Sequence, residues 1–231
     1  MTFDLKNAGA TYQRLVNSMF AEQIGKSMEV YVDDMLVKSK HADQHITNLS
    51  ETFTIMKRYR MRLNPNKCTF GVGSGKFLGF MISQRGIEVN PEKIKAIIDM
   101  KEPVTSKDVQ SLTGKVAALT RFISKATDRY APFFKALKGS KKHITWTDEC
   151  VETFNDLKDY MSKAHLLYKP EVGDTLIIYL SVSASAVSSV LIRKDGNVEW
   201  PVYYASKALQ DAETQYSNIE KLGYHFHNKY I

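Results

Sequence analysis

The sequence predicts a multidomain protein of mixed α+β and α/β character, and three observations support this. The chain has 231 residues with 43% apolar and 25% charged side chains, a composition typical of folded globular proteins. Apolar side chains recur at helical spacing in some segments and in short β-rich runs in others. The residue pattern becomes helical after Gly86 and β-rich again after Pro170. These two changes divide the chain into three parts, which are 1–85, 86–165 and 166–231.

The first part predicts two helices and two β-hairpins. The helices are predicted over 8–22 and 42–59, where apolar residues recur every three to four positions. One hairpin is predicted from two β-rich runs within 28–38, which are joined through Asp33 and Asp34. The glycine-punctuated stretch 64–83 predicts the second hairpin.

The middle part predicts four helices, and the last part predicts a β-β-β-α unit that is only half of a larger fold. Asn90 with Pro91, and Thr105 with Asp108, are typical of helix N-termini. The other two helices are expected over roughly 127–138 and from Thr147 onward. The last part contains three strand-like runs, TLIIYLSV, AVSSVLIRK and NVEWPVYYAS, and a closing helix near 213–229.

The charge distribution favours a polyanionic partner for the first two-thirds of the chain. The net charge is +7, of which residues 1–85 contribute +5, 86–165 contribute +3 and 166–231 contribute −1. Phosphate neutralisation supplies much of nucleic-acid affinity, although an ordinary solvated surface explains the same charges. No apolar run is long enough to span a membrane, so a membrane partner is not expected. Two cysteines are too few for a disulfide framework, which suits an intracellular, reducing compartment.

The adjacent carboxylates of Asp33 and Asp34 are the strongest chemical signal in the sequence. Two like charges at a hairpin tip repel each other unless cations neutralise them. Mg²⁺ prefers carboxylate oxygens and shares its coordination shell with substrate phosphates. A two-metal site for phosphoryl displacement is therefore one reading, and it needs a third carboxylate from another strand. A solvated polar turn is the alternative.

The residues around this pair carry a family resemblance. YVDD at 31–34, LKNAGATYQRL before it and KFLGFMIS after it resemble the reverse transcriptases of gypsy-class LTR retrotransposons, particularly those of plants. By this resemblance, 1–85 corresponds to the second half of the palm. Residues 86–165 correspond to the thumb and connecting helices, and 166–231 to the start of an RNase H-like domain.

The resemblance implies RNA- and DNA-templated DNA synthesis with deoxynucleoside triphosphates and Mg²⁺, or Mn²⁺ in its place. It implies that Asp33 and Asp34 are catalytic metal ligands, within a Pol polyprotein that works in a cytoplasmic particle or the nucleus. Further residues are implied to contact the nucleotide, primer or template, namely Phe3, Lys6, Asn7, Gln13, Tyr31, Val32, Phe77, Leu78 and Gly79. Plain core packing is the alternative for Phe77 and Leu78.

Three departures from the family pattern predict a fragment that is not a competent polymerase by itself. The fingers and the strand that carries the first metal-binding aspartate of the family are missing from this sequence. Asp4 stands where the family has glycine, which places a charge near the nucleotide. In the RNase H-like part, Ser181 and Leu222 occupy positions where active relatives have Asp and Glu. This part is therefore predicted to be inactive.

Two alternatives to a polymerase fragment remain open. One is a non-catalytic nucleic-acid-binding remnant. The other is a nuclease that uses the last part, which Ser181 and Leu222 argue against. The basic run KRYRMR at 57–62 could hold a nucleic-acid strand by charge and stacking, or could be the solvated end of a helix.

Overall fold

The computed structural model describes residues 7–137, 144–163 and 165–230, and it confirms a mixed α+β fold. The chain divides into two compact units, Met1–Ile82 and Ser83–Ile231. In the described residues, no helix is both long enough and apolar enough to cross a membrane.

The first unit contains the two predicted helices and both predicted hairpins. Helix α1 and helix α2 flank an antiparallel strand pair, in which Met28 lies opposite Val37 and Tyr31 opposite Asp34. The side chains of α1 and α2 that face inward form its core with Met28, and they include Val16, Phe20 and Met56. The elements are α1 (Ala8–Met19), β1 (Met28–Tyr31), β2 (Asp34–Val37), α2 (Ala42–Arg58), β3 (Ser74–Phe77) and β4 (Phe80–Ser83).

The second unit begins with strand β5 and a set of five helices. Both predicted N-caps are confirmed: the Asn90 side chain accepts the Glu92 N–H at 3.0 Å, and Thr105 and Asp108 form a capping box. These elements are β5 (Gly86–Val89), α3 (Pro91–Ile98), α4 (Ser106–Ala117), α5 (Ala126–Arg129), α6 (Ala131–Ala136) and α7 (Asp148–Met161).

The single helix expected over 127–138 is two short helices, α5 and α6, with Tyr130 between them. Pro132 lies two residues after Tyr130 and has no N–H to donate to a preceding turn, so a continuous helix would lose a hydrogen bond here. Tyr130 is fully buried, and its ring stacks on Phe133, which in turn stacks on Trp146. Desolvation in this position raises the pKa of Tyr130 to about 12.

The rest of the second unit is a β-rich layer with a terminal helix. The three predicted strand-like runs are strands β7, β8 and β9, and they form an antiparallel sheet in that order. The β8–β9 register shifts where Pro201 lies opposite Ile192, since proline in a strand is found at edges and bulges. The elements are β6 (Leu166–Tyr168), β7 (Thr175–Val182), β8 (Ala186–Asp195), β9 (Val198–Ala208) and α8 (Asn218–Tyr230).

Candidate active site

A tight turn between β1 and β2 presents the two aspartates. Val32 and Asp33 form the turn, and Asp34 is the first residue of β2, directly opposite Tyr31. Both carboxylates are exposed, and the Tyr31 side chain is 57% exposed beside them. The predicted hairpin is therefore confirmed, with Asp33 at its tip and Asp34 one residue along the strand.

The turn depends on an unfavourable backbone conformation at Val32. Its φ is 47°, in the left-handed region that a β-branched residue rarely adopts, at a cost of about 1–3 kcal/mol. The side chain of Gln13 on α1 holds this conformation from outside the hairpin. Its Oε1 accepts the Val32 N–H at 2.5 Å, and its Nε2 donates to the carbonyl of Val30 at 3.3 Å and to Asn17 Oδ1 at 2.8 Å.

Tyr12, the residue before Gln13, lies close enough to Asp33 for their charges to interact. Partial burial, and secondly the negative charge of Asp33, raise the pKa of the Tyr12 hydroxyl. Tyr12 is not among the predicted site residues, because its spacing on α1 predicts only a place on the apolar face of that helix.

The second hairpin reaches the aspartates through its own turn. Leu78 and Gly79 connect β3 to β4 with φ of 52° and 75°, a pair of left-handed residues typical of two-residue hairpins. The Leu78 N–H donates a hydrogen bond to Asp34 Oδ2 at 3.2 Å. Phe77 is half-buried and Leu78 is 43% exposed, so the tip of this hairpin is open to solvent.

The structure thus brings together most of the predicted site residues that it describes. Gln13 contacts the turn at Val32, Tyr31 pairs with Asp34, and Asp34 contacts Leu78. Asn7 is exposed at the start of α1, without a capping hydrogen bond from its side chain. The predicted residues Phe3 and Lys6 lie outside the described residues, as does Asp4.

Two carboxylates at this tip have the chemistry to hold a hard divalent cation, because carboxylate oxygens are the ligands that Mg²⁺ prefers. Asp34 already gives one oxygen to the Leu78 N–H, whereas Asp33 accepts no such bond in the described part of the chain. No group of three or more His, Cys, Asp or Glu side chains that could hold a metal ion occurs within 7–137, 144–163 and 165–230. The third carboxylate that a two-metal site needs is therefore absent from these residues.

The second unit has a groove of its own between α3 and α4. The groove encloses about 370 Å³, and Lys93 and Lys115 lie along it with small residues between them. The Lys115 ammonium donates to Ser111 Oγ at 2.9 Å, and a Cβ placed on Gly114 would meet no atom within 4 Å. Ala118 and Leu119 also line this groove, so its surface is mostly apolar, with the two lysines as its cationic groups.

Ser181 and Leu222, for which the resemblance implies acidic residues in active relatives, lie in β7 and α8. Ser181 lies in β7 opposite Ser188 of β8, and Leu222 is half-buried in α8. The buried polar contact in this region is between Ser189 Oγ and His225 Nε2, at 2.9 Å. Neither Ser181 nor Leu222 offers a carboxylate to a cation.

Comparison with protein families assigns both ends of the chain. Residues 1–82 match the family described as reverse transcriptase (RNA-dependent DNA polymerase). Residues 146–224 match the RNase H-like domain found in reverse transcriptase. The two ends of the chain are therefore similar to two domains that occur in reverse transcriptases.

The chain is similar to curated relatives along nearly its whole length. The Pol polyproteins of transposon opus and transposon 297 from Drosophila melanogaster are 29% and 30% identical, each over 96% of this chain. The transposon Tf2-3 polyprotein of Schizosaccharomyces pombe is 26% identical over 96% of the chain. The chain spans only 17–23% of the length of these relatives, so it corresponds to one part of a larger polyprotein.

Solved structures show the same fold. A foamy viral protease-reverse transcriptase in complex with an RNA/DNA hybrid has a TM-score of 0.82 and 21% identity, and it covers 99% of this chain. In that comparison, the chain covers 31% of the viral protein. A second structure of the foamy viral enzyme, in complex with double-stranded DNA, has a TM-score of 0.79 and 23% identity.

Proposed function

We propose that this chain is part of the reverse transcriptase of a gypsy-class LTR retrotransposon of the plant type. Its function in the polyprotein is RNA- and DNA-templated DNA synthesis from deoxynucleoside triphosphates. The observation that carries the proposal is the turn at 31–34, where two exposed carboxylates stand beside the tip of the second hairpin. The residues before and after the turn match a reverse transcriptase domain.

In this proposal, Asp33 and Asp34 are the residues that would hold Mg²⁺ or Mn²⁺. When bound, such a cation stabilises the attacking and leaving oxygens of nucleotidyl transfer. Asp33 offers a carboxylate with no hydrogen-bond partner in the described residues, whereas Asp34 keeps one oxygen on the Leu78 N–H. We therefore assign the stronger metal contact to Asp33.

The nucleic-acid contacts are proposed for the surfaces around this turn and along the second unit. Tyr31 and Val32 would lie beside the primer end, with Phe77, Leu78 and Gly79 against the primer strand. Asn7, Phe3 and Lys6 would line the nucleotide and template. Gln13 fits a positioning role better than a substrate contact, because its amide is occupied by Val30, Val32 and Asn17.

The α3–α4 groove with Lys93 and Lys115 would contact backbone phosphates as part of the thumb. We propose that 1–85 form the palm, that 86–165 form the thumb and connecting helices, and that 166–231 form an RNase H-like segment. The last is proposed to be non-catalytic, because Ser181 and Leu222 replace its acidic ligands. The polyprotein would act inside the cell, in a cytoplasmic particle or the nucleus.

The chain alone is proposed to lack polymerase competence, because the described residues supply only two of the three carboxylates. Residues that act as a catalytic unit fail together when one is removed. The test has two parts. Extension of a primed RNA template with Mg²⁺ and deoxynucleotides should give no processive synthesis. Mg²⁺ should nevertheless tighten binding of a primer-template with its matching nucleotide, and Asp33→Asn should abolish this gain.

A non-catalytic nucleic-acid-binding remnant is the second candidate, and the missing third carboxylate is the observation that favours it. It predicts primer-template binding that Mg²⁺ and Asp33→Asn leave unchanged. Processive synthesis by the chain alone would contradict the second candidate and the proposed incompetence of the isolated chain, and its loss in Asp33→Asn would support the assignment of the site. Mg²⁺-dependent cleavage of an RNA–DNA hybrid would contradict the non-catalytic assignment of 166–231.

A further inference from the structure

We propose that the C-terminal end of α2 carries a second nucleic-acid surface, which binds single-stranded polynucleotide by stacking and charge. The surface consists of the segment Lys57–Arg62 and the exposed aromatic pair Phe53 and Phe70. It is separate from the two aspartates in function and does not depend on their metal.

The charged residues of this region of the sequence are all basic. From residue 52 to residue 82 the first unit contains six basic residues and no acidic residue. Four of them lie within six positions, and all four are exposed, namely Lys57, Arg58, Arg60 and Arg62. Within the described residues, no ion pair involves any of these four cations. Such an uncompensated cluster fits a phosphate backbone by charge complementarity.

The aromatic side chains beside these cations are also open to solvent. Phe53 and Phe70 pack edge to face with their ring centroids 6.1 Å apart, yet 42% and 53% of these residues stay exposed. Phe53 lies one helical turn before Lys57, on the same side of α2. Tyr59, inside the basic segment, is 45% exposed. Exposed rings next to cations are the pattern that holds unpaired bases and their phosphates.

The backbone at the end of α2 supplies an independent observation. The Met61 N–H bonds to the Met56 carbonyl at 2.9 Å and the Arg60 N–H to the Lys57 carbonyl at 3.1 Å, which together form a Schellman cap. Its left-handed position, φ 55°, usually holds glycine, but here it holds Arg60. The helix dipole stabilises cations in the last turn, but it does not require a cation at this strained position. We infer from an arginine at this position that the charge of Arg60 contributes to ligand binding.

Single-stranded nucleic acid fits this surface better than a duplex or an acidic protein. A duplex keeps its bases stacked on one another, so it could use the cations but not the three exposed rings. An acidic peptide likewise offers charge without bases. Only a strand with unpaired bases satisfies both the cationic and the aromatic parts.

The test uses the full chain with a fluorescein-labelled 15-nucleotide oligo-dT, and anisotropy measured over a range of salt. The double variant Arg58→Ala with Arg62→Ala should lower the slope of log affinity against log salt by about 1.4, at about 0.7 per lost contact. The matched control removes two exposed cations of the same unit, Lys26→Ala with Lys40→Ala, and should leave the slope unchanged. Equal slopes for the two double variants would overturn the proposal.

Two further variants distinguish a loss of binding from a loss of folding, and the effect of stacking from the effect of charge. Arg60→Gly suits the left-handed backbone, so it should keep or raise the melting temperature while it lowers the salt slope by about 0.7. Tyr59→Leu should weaken oligo-dT binding about fivefold or more and leave an abasic 15-mer unaffected. Equal loss for the two oligomers would overturn the stacking part of the proposal.

The location and the class of ligand need their own measurements. A 4-thiothymidine-containing oligomer should crosslink to peptides that contain Tyr59 or Phe70, and crosslinks confined to other peptides would overturn the assignment. A 15-residue poly-aspartate should compete at least tenfold more weakly than oligo-dT. Equal competition would mean that the surface binds acidic protein instead.

Discussion

Gln13→Leu tests how the turn that carries the aspartates is held. The substitution removes the acceptor of the Val32 N–H and the donor to the Val30 carbonyl, both in half-buried surroundings. Leaving a partly buried N–H without its partner costs about 1–3 kcal/mol, and the strained φ of Val32 has no other restraint from α1 in the described residues. We expect about 2 kcal/mol for local opening of the turn, which corresponds to roughly thirtyfold in an equilibrium constant.

Amide hydrogen exchange measured by NMR reads this opening directly, because it follows the Val32 N–H itself. The amide should exchange about thirtyfold faster in Gln13→Leu than in the original chain. Asn17→Ala is the matched control on the same helix, since it removes only the exposed bond to the Gln13 amide. It should change the exchange rate by less than threefold. An unchanged rate at Val32 in Gln13→Leu would refute the positioning role of Gln13.

Three further changes test the second unit. Burial, and secondly the positive charges of Lys229 and Lys207, lower the pKa of His225 below its ordinary 6.5. The unfolded chain therefore binds more protons below pH 6.5, and the free energy of unfolding decreases as the pH falls through this range. Circular dichroism melts at pH 7.5 and 5.5 should show a smaller loss of stability on acidification for His225→Gln than for the original chain. Gly86→Ala would place a Cβ only 1.9 Å from the Leu167 carbonyl oxygen at a φ of 146°, so urea unfolding should show a loss of about 3 kcal/mol or more. Thr105→Ala removes the cap shared with Asp108 and should cost about 1 kcal/mol in the same assay, while an unchanged midpoint would contradict the capping role.

Features set by neighbouring residues could be predicted from the sequence. Asn90 and Thr105 cap helices because their side chains reach backbone N–H groups two or three residues away. Asp33 lies at a hairpin tip because the β-rich runs on either side are short and aspartate favours turns. In each case the deciding interaction lies within a few residues of the signal.

Features set by distant contacts could not be predicted in this way. The pairing of β5 with β6 joins Gly86 to Tyr168, and three-residue β6 gives too little periodicity to find. Leu78 and Asp34 are 44 positions apart in the sequence. The Leu78 N–H points toward the Asp34 carboxylate only because Leu78 has a left-handed backbone conformation. The contact of Gln13 with Val32 likewise depends on how α1 packs against the hairpin.

The most direct test of the metal assignment is a titration of the isotopically labelled chain with Mn²⁺, followed by paramagnetic broadening of its amide signals. We predict that the signals of Val32, Asp33 and Asp34 broaden first, at the lowest Mn²⁺ concentration, and that Asp33→Asn removes this preference. Broadening that begins elsewhere in the chain, or that persists at the turn in Asp33→Asn, would contradict the assignment of Asp33 as the principal metal ligand.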